Sequence, residues 1–320
     1  MKSGRLAALG LLATLLACGG GSNPHPGVTP APQTSGSIPA QGGTDTLDLA
    51  NWNLDWFGDP ANGPVNDTLQ VQNAQAVIAG ADCDVWGLEE VVDAGSFHAL
   101  LAGLPGYAGL LASDPGVSQG ASFYGPTEQK VALIYKTALA SVESAQVILT
   151  DHDYDFAGRP PLEVRLQVAL HGSAETFYII VLHAKAGSDS ASCQRRANAA
   201  AALKAYLDTT RAQDRVVVMG DFNDDLDTSI TAGQPSPYQA FVTDTARYFT
   251  PTKALSAAGQ TTYLSRFNST DPIDHQIVPA AWLGRYLAGS AEAFHADQYV
   301  GSYTSTTSDH RPVITRWTGF

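Results

Sequence analysis

The sequence predicts an α/β domain in which mixed β-sheets are covered by helices. Short apolar runs rich in Val, Ile, Leu, Phe and Tyr recur from Thr46 to the end of the chain, some separated by helix-like stretches and others following one another directly. Strands connected in both ways suggest mixed sheets beneath helices. Neither a fixed-period repeat nor a second linker interrupts residues 46–320, so contiguity assigns them to one domain.

In chain order, residues 47–53 are strand-like, residues 65–80 helix-like, and residues 83–88 form a short buried strand ending in Glu89 and Glu90. Residues 130–135, 163–170 and 176–183 read as three further strands. The alanine-rich stretch 192–207 has strong helix propensity. Residues 215–221, 273–278 and 312–317 supply the last three strands.

Composition excludes disorder throughout: 44% of the 320 residues are hydrophobic and only 15% charged, an ordinary globular balance. The formal charge of −13 opposes non-specific attraction to nucleic acid or anionic membrane. It does not exclude an anionic substrate, because a site that concentrates carboxylates around a divalent cation presents a reversed local field.

Residues 1–18 read as an address. Lys2 and Arg5 precede an apolar run over residues 6–17 that is too short to span a bilayer, and it ends in Leu15-Leu16-Ala17-Cys18. The small residue before a cysteine resembles a bacterial lipoprotein signal, which implies a lipidated Cys18 and a place in the cell envelope facing outside the cytoplasm. An ordinary secretory signal with a chance cysteine is the alternative. Residues 19–45, rich in Gly, Pro, Ser and Thr, follow as a flexible tether. The mature domain then keeps only Cys83 and Cys193, compatible with one disulfide or two free thiols.

Polar side chains sit at the ends of the apolar strands. Asn53, Glu90, His183, and Asp221 with Asn223 close theirs; Asp274 and the pair Asp309-His310 open theirs. If the late strands run antiparallel to the early ones, all these positions meet at one edge. Each alone has an ordinary explanation: Asn53 ending a strand in a turn, Glu90 a solvated strand exit, His183 a satisfied imidazole. Together they match what phosphate-ester hydrolysis needs: a cation for the phosphoryl oxygens, an oriented water, a donor for the leaving oxygen and fixed dipoles. Glu90 is a hard oxygen ligand suited to Mg²⁺, two histidines can act as base and acid near neutral pH, and Asn53 and Asn223 can donate to phosphate without adding charge.

The segments Ala50-Asn51-Trp52-Asn53, Asp84-Val85-Trp86-Gly87-Leu88-Glu89-Glu90-Val91, Val181-Leu182-His183, Gly220-Asp221-Phe222-Asn223, Ile273-Asp274-His275 and Ser308-Asp309-His310-Arg311-Pro312-Val313 occur in a telling order. In that order they resemble the endonuclease/exonuclease/phosphatase superfamily over about residues 46–318. The resemblance implies a four-layer α/β sandwich, two mixed sheets face to face with helices outside. It implies that Glu90 binds the essential cation, usually Mg²⁺ with Mn²⁺ or Ca²⁺ admissible, that Asn53 helps hold cation and phosphate, and that Asp309 is a second acidic position near the metal. It further implies that Asp221 orients water or handles a proton, that Asn223 contacts phosphate, and that His310, paired with Asp274, acts on the water or the transition state. His183 looks like the acid of the pancreatic-type deoxyribonucleases, and Arg159 like an Arg-Pro element that reaches toward phosphate; Lys185 is a lesser candidate for the same role.

One position departs from that pattern. Where a deoxyribonuclease carries a carboxylate beside the histidine, alignment places Gln129, and neighbouring Glu128 substitutes only if its loop allows. In the implied fold Cys83 lies about seven residues, or roughly 20 Å, from the catalytic edge. Cys193 stays near that edge, so a disulfide between them, which needs Cα atoms within about 7 Å, is not expected. The expected activity is a metal-dependent phosphodiesterase acting first on nucleic acid, especially DNA, with no obligate protein partner and membrane contact through the anchor alone. Sphingomyelin or phospholipid phosphodiesterase, small-molecule phosphatase and a catalytically dead binding protein are the alternatives. For the lipid reading, Trp52, Trp56 and Phe57 are candidates for contact, although they read better as core.

Overall fold

The computed structural model describes residues 36–264 and 271–319. The signal segment, Cys18 and most of the tether lie outside the described residues. The strands are β1 (Leu47–Phe57), β2 (Val85–Val91), β3 (Tyr107–Leu111), β4 (Val117–Ser118), β5 (Lys130–Lys136), β6 (Ala140–Val147), β7 (Leu162–Leu170), β8 (Ser173–His183), β9 (Val216–Asp221), β10 (Tyr248–Phe249), β11 (Asp274–Pro279), β12 (Glu292–Ala293) and β13 (Val313–Trp317). The helices are α1 (Asp67–Ala81), α2 (Ala94–Ala102), α3 (Gly120–Phe123), α4 (Ser190–Thr210), α5 (Gln239–Thr243), α6 (Lys253–Ala257) and α7 (Tyr303–Thr306). All ten elements expected from the sequence are present; β1, β5, β7, β8 and α4 are longer than expected, and the other five are shifted or shortened by one to three residues at an end.

Local chemistry sets the helix starts. The side chains of Asn66, Asp93 and Asp189 accept the backbone N–H groups of Leu69, Ser96 and both Ala191 and Ser192, which satisfies donors the first turns of α1, α2 and α4 leave unpaired. α1 ends at Asp82, whose left-handed φ of 54° stops the helix and starts the turn into β2.

The strands form two mixed sheets, ordered β12-β13-β1-β2-β5-β3 and β10-β11-β9-β8-β7-β6-β4. Each is built around a parallel pair joined by a crossover helix, β1-α1-β2 in the first and β8-α4-β9 in the second, and a short parallel pairing of β4 with β6 lies at the edge of the second. Each pair is flanked by antiparallel neighbours, β13 and β5 in one sheet, β11 and β7 in the other. The late strands therefore do run antiparallel to the early ones.

Strand alternation sorts the apolar residues into layers. Leu47, Leu49, Val85 and Leu133 of the first sheet meet Val164, Val181, Val217 and Met219 of the second to form the inter-sheet core. On the outer face of the first sheet, Trp52, Trp86 and Leu88 pack against Val77 and Ile78 of α1 and Phe97 of α2. Ile180, Leu182 and Val218 do the same against Leu203 and Leu207 of α4. The architecture is the four-layer α/β sandwich, helix, sheet, sheet, helix. Trp52 and Phe57 are wholly buried core residues, while Trp56 alone of that trio reaches the cleft described below.

Cys83 and Cys193 are both buried free thiols. The N-terminal segment runs along the edge opposite the carboxyl ends of β1 and β2: the N–H groups of Gln41 and Gly42 donate to the Ala81 carbonyl, and the Arg316 guanidinium donates to the Gln41 carbonyl. No helix among the described residues is long and apolar enough to cross a membrane.

Candidate active site

Ligand sites in α/β sheets lie outside the carboxyl ends of parallel strands. Here both helix-connected parallel pairs point those ends at one edge, and a cleft of about 550 Å³ opens there, lined by Glu90, His183, Asp221, Asn223, Asp309 and His310 among others. Asn53 comes from β1, Glu90 from β2, His183 from β8 and Asp221 from β9. Asp274, opening β11, pairs in register with Asp221, and His310 lies three residues before β13.

Backbone strain aims these side chains. In β2, Val85 faces the other sheet and Trp86 and Leu88 face the helices. Simple alternation would send Glu90 into the helix layer as well. Instead Glu90 has φ +60°, and the pairing of β2 with β5 slips between Leu88 and Val91 while that of β1 with β2 slips between Asn53 and Phe57. A bulge of this kind re-aims a side chain at the cost of a sparsely populated conformation. Asp55, Trp56 and Asn223 are also left-handed, with φ of 52°, 49° and 52°. Gly220, at φ +141°, admits no side chain: a Cβ there would lie 2.0 Å from the Leu182 carbonyl oxygen.

Asp221 is the centre of the constellation. Its Oδ2 accepts from Asn53 Nδ2 at 3.0 Å and its Oδ1 from the Asn223 N–H at 2.8 Å. His310 Nε2 faces the same Oδ2 at 4.0 Å, while its Nδ1 lies 2.8 Å from Asp274 Oδ2. The backbone behind His310 is pinned: Ser308 Oγ accepts the His310 N–H and donates to the Asn53 carbonyl, and the His310 carbonyl accepts from Trp52 Nε1 and the Tyr303 hydroxyl. Glu90 Oε2 accepts the Trp56 N–H at 2.9 Å, and Asn53 Oδ1 accepts the Asp55 N–H at 3.0 Å.

Electrostatics set protonation in the metal-free protein. Burial and the neighbouring Asp274 carboxylate raise Asp221 to about 7. Burial, then the charges of Asp309 and Glu90, raise Asp55 to about 7 as well, and burial raises Glu90. Burial opposes a charge on His310, but the Asp274 carboxylate, as charge and as hydrogen-bond acceptor, outweighs it and holds the imidazole well above its ordinary value. His183 is the reverse: burial, then the charge of Arg159, drives it well below the ordinary value, so it is neutral.

His183 Nε2 lies 3.6 Å from Glu90 Oε1 and 3.5 Å from Asp221 Oδ2. Gln129 does not support it. The side-chain carbonyl of Gln129 accepts from Arg159 Nη1, and Glu128 instead accepts the Gly125 N–H. Arg159 Nη2 donates to the Ala184 carbonyl at 3.0 Å, next to His183, so the Arg-Pro element packs beside His183 and behind the residues that line the cleft. Lys185 lies just beyond, partly exposed.

Several buried polar atoms around this edge have no hydrogen-bond partner: both carboxylate oxygens of Glu89, Oδ1 of Asp274, Nδ1 of His183 and Nε of Arg159. Buried polar atoms are otherwise nearly always paired. Hard carboxylate oxygens crowded together with orphaned polar atoms are what a divalent cation and a phosphate would satisfy, so the residues fit such a group. Asp221, Asp274 and His310 lie close enough to share an ion. Because His310 and Asp274 are already bonded to each other, Glu90, with Asn53 and Asp309 beside it, offers the freer oxygen donors.

Two features were not singled out from the sequence. Glu89 is fully buried, its Oε1 packed against Gly220 behind Asp221, where burial and the charges of Asp274 and Asp221 raise it well above the ordinary value. Arg196 of α4, also fully buried, pairs with Asp224 at 2.7 Å and donates from Nη1 to the carbonyls of Lys185 and Gly187. It ties the loop after His183 to the loop after Asp221. The only advance signal for either was an acid on the inward phase of β2 and one of two adjacent arginines in an alanine-rich helix.

The chain belongs to the Endonuclease/Exonuclease/phosphatase family, whose model matches residues 50–310. No curated protein matches it in sequence. Among solved structures it is similar to the human Nocturnin catalytic domain with bound sulfate anion, at 17% identity and TM-score 0.56, covering 86% of this chain and 93% of that one. It is similar to D. rerio TDP2 complexed with single strand DNA product, at 14% identity and TM-score 0.56, covering 86% and 99%. It is also similar to a variant of the 3′ phosphatase NExo from Neisseria bound to product DNA hairpin, at 14% identity and TM-score 0.58, covering 85% and 100%. These likenesses extend over the whole sandwich.

Proposed function

We propose that the protein is a divalent-metal-dependent phosphodiester hydrolase with nucleic acid, DNA first, as its substrate, held at the outer face of a bacterial envelope by a lipidated Cys18. The observation that carries the hydrolase reading is Asp221, fixed between Asn53 and Asn223 and faced by the His310–Asp274 pair, beside Glu90. The family's phosphoester chemistry and the DNA in two of the similar structures support the substrate choice.

Glu90, with Asn53 and Asp309, would hold the cation, Mg²⁺ in the first instance. When bound, it neutralises phosphoryl oxygens and lowers the charge an attacking water meets. Asp221 accepts the proton of the water whose oxygen bonds to phosphorus; Asn53 and Asn223 keep its carboxylate in line. His310, held as imidazolium by Asp274, donates to a phosphoryl oxygen as negative charge develops there. Arg159 and the amide of Asn223 complete the phosphate contacts. The ester oxygen leaves with the electrons of the broken P–O bond, and the neutral ring of His183 is placed to donate a hydrogen bond to it.

The test is a substrate panel of single- and double-stranded DNA, RNA, sphingomyelin and a chromogenic phosphodiester, each with Mg²⁺ and with chelator. Mg²⁺-dependent cleavage of DNA is expected. Lipid turnover with DNA left intact would overturn the substrate, and no turnover of any member would favour a binding protein on the same fold.

A further inference from the structure

The segment between β6 and β7 links the cleft to an exposed aromatic platform. At one end Arg159 packs behind the cleft, its Nη2 on the Ala184 carbonyl beside His183. Five residues earlier, and so within about 17 Å even if fully extended, stands Tyr154. Its side chain is 72% exposed, the one aromatic among the exposed large side chains of the described residues. An exposed ring on a loop gains little from packing, yet this one is held. The Arg195 guanidinium lies 4.1 Å from the ring centroid, and both Nε and Nη2 of Arg195 donate to the Tyr154 carbonyl. Arg195 thus occupies one face of a fixed ring and leaves the other open.

Arg195 is a cation held on that ring in a chain whose net charge is −13, and a second, Lys185, lies on a loop tied to the same helix through Arg196 Nη1 and the Lys185 carbonyl. Lys185, two residues past His183, is close enough to Arg195 and Arg159 that, after burial, their charges depress its ammonium. Nearby acids are partly spent: Asp155 receives Asn198 Nδ2 and lies 3.3 Å from His152 Nδ1, and Asp189 caps α4. Asp151 and Asp153 remain on the same loop, so the field there is modest and recognition must come from stacking with only one or two phosphate contacts.

We propose that Tyr154, Arg195 and Lys185 form an accessory platform for a single-stranded polynucleotide flanking the scissile phosphate, one base stacking on the open face of Tyr154. The proposal rests on the phosphodiesterase reading of the cleft. A single strand is the fitting partner because its bases offer free π-faces, whereas a duplex keeps them stacked.

The test is binding of a short fluorescent oligothymidylate in chelator, by anisotropy, to the wild-type protein and to Tyr154→Ala, Tyr154→Phe and Lys185→Gln. Tyr154→Ala should weaken Kd about 10- to 100-fold, as loss of one stacked base does. Tyr154→Phe should bind nearly as wild type, and Lys185→Gln should reduce the salt dependence by about one counterion. Equal Kd for wild type and Tyr154→Ala, absence of binding by wild type, or equal affinity for a sulfated polysaccharide would each overturn the platform. Hydrolysis of a minimal chromogenic phosphodiester with Mg²⁺ reports on the cleft separately. It should be unchanged in Tyr154→Ala, and a matching loss would show that the ring is structural.

Discussion

Stripping divalent cation from the protein should make its stability fall as the pH rises above about 6.5, and Mg²⁺ should reverse that slope. Asp221 and Asp55 both titrate near 7 in the folded, metal-free protein against an ordinary value of 3.8. A carboxyl raised on folding contributes stability that is complete below its unfolded value and is lost as the pH passes through the folded one. His310, also raised, has the same sign. His183, lowered well below 6.5, and His275, lowered to about 4, have the opposite sign: their unfolded imidazoles are still about half protonated at pH 6.5, so each regains about 0.4 kcal/mol between there and pH 8. Over the same interval each of the two carboxyls loses about 0.8 kcal/mol, which leaves a net loss of about 0.8 kcal/mol after the two histidines, and His310 adds to it in the same direction. For a domain of this size the balance of carboxyls and histidines alone is about 2–3 °C in Tm, and His310 enlarges it. Bound cation favours the ionised carboxylates, so the gap between Mg²⁺ and chelator should widen with pH. The assay is thermal unfolding across that range for wild type and Asp221→Asn, whose slope in chelator should be shallower. A Tm in chelator that is flat or rises with pH, or a Mg²⁺ increment that shrinks, would refute the carboxylate cluster as a cation site.

Asp274→Asn should lower kcat about 10²- to 10⁴-fold with KM little changed, because His310 loses the charge that keeps it protonated; steady-state kinetics on a minimal diester check it, and near-normal kcat would separate the pair from catalysis. Arg196→Met strands Asp224 and should cost about 3–5 kcal/mol of stability by denaturant unfolding. Adding Asp224→Asn, which removes the stranded charge and keeps an acceptor for Ser229 and the Ile230 N–H, should restore part of that but not kcat, since the Lys185 and Gly187 carbonyls stay unpaired. Radiolabelled palmitate should enter the wild-type protein in a bacterial host and be lost in Cys18→Ala; label retained in that variant would remove the anchor.

The convergence of Asn53, Glu90, His183, Asp221, Asp274 and His310 was legible because strand ends carry position: an apolar run fixes direction, and its last or first polar residue lands at a sheet edge. Strands that are not apolar runs were harder to see. β6, with Ser141, Glu143 and Ser144 on its exposed side, buries chiefly small residues, and its identity comes from the ladder with β7. α2 is short and depends on the Asp93 cap and on burial of Phe97 and Leu100. The left-handed turn at Glu90 was invisible because strain is imposed by the packing around it. Gln129 was noticed as the wrong partner for His183, but that it serves Arg159 depends on a contact across 30 residues that no local pattern encodes.

Cation occupancy and cleavage measured in a single titration test the central claim most directly. Mn²⁺ would be added to the metal-free protein, bound ion followed by its paramagnetic resonance and hydrolysis of a chromogenic phosphodiester followed alongside, in wild type and in Glu90→Gln. Occupancy and rate should rise together in the wild type, and both should be lost in Glu90→Gln. Hydrolysis that precedes occupancy, survives chelation or persists undiminished in Glu90→Gln would contradict it.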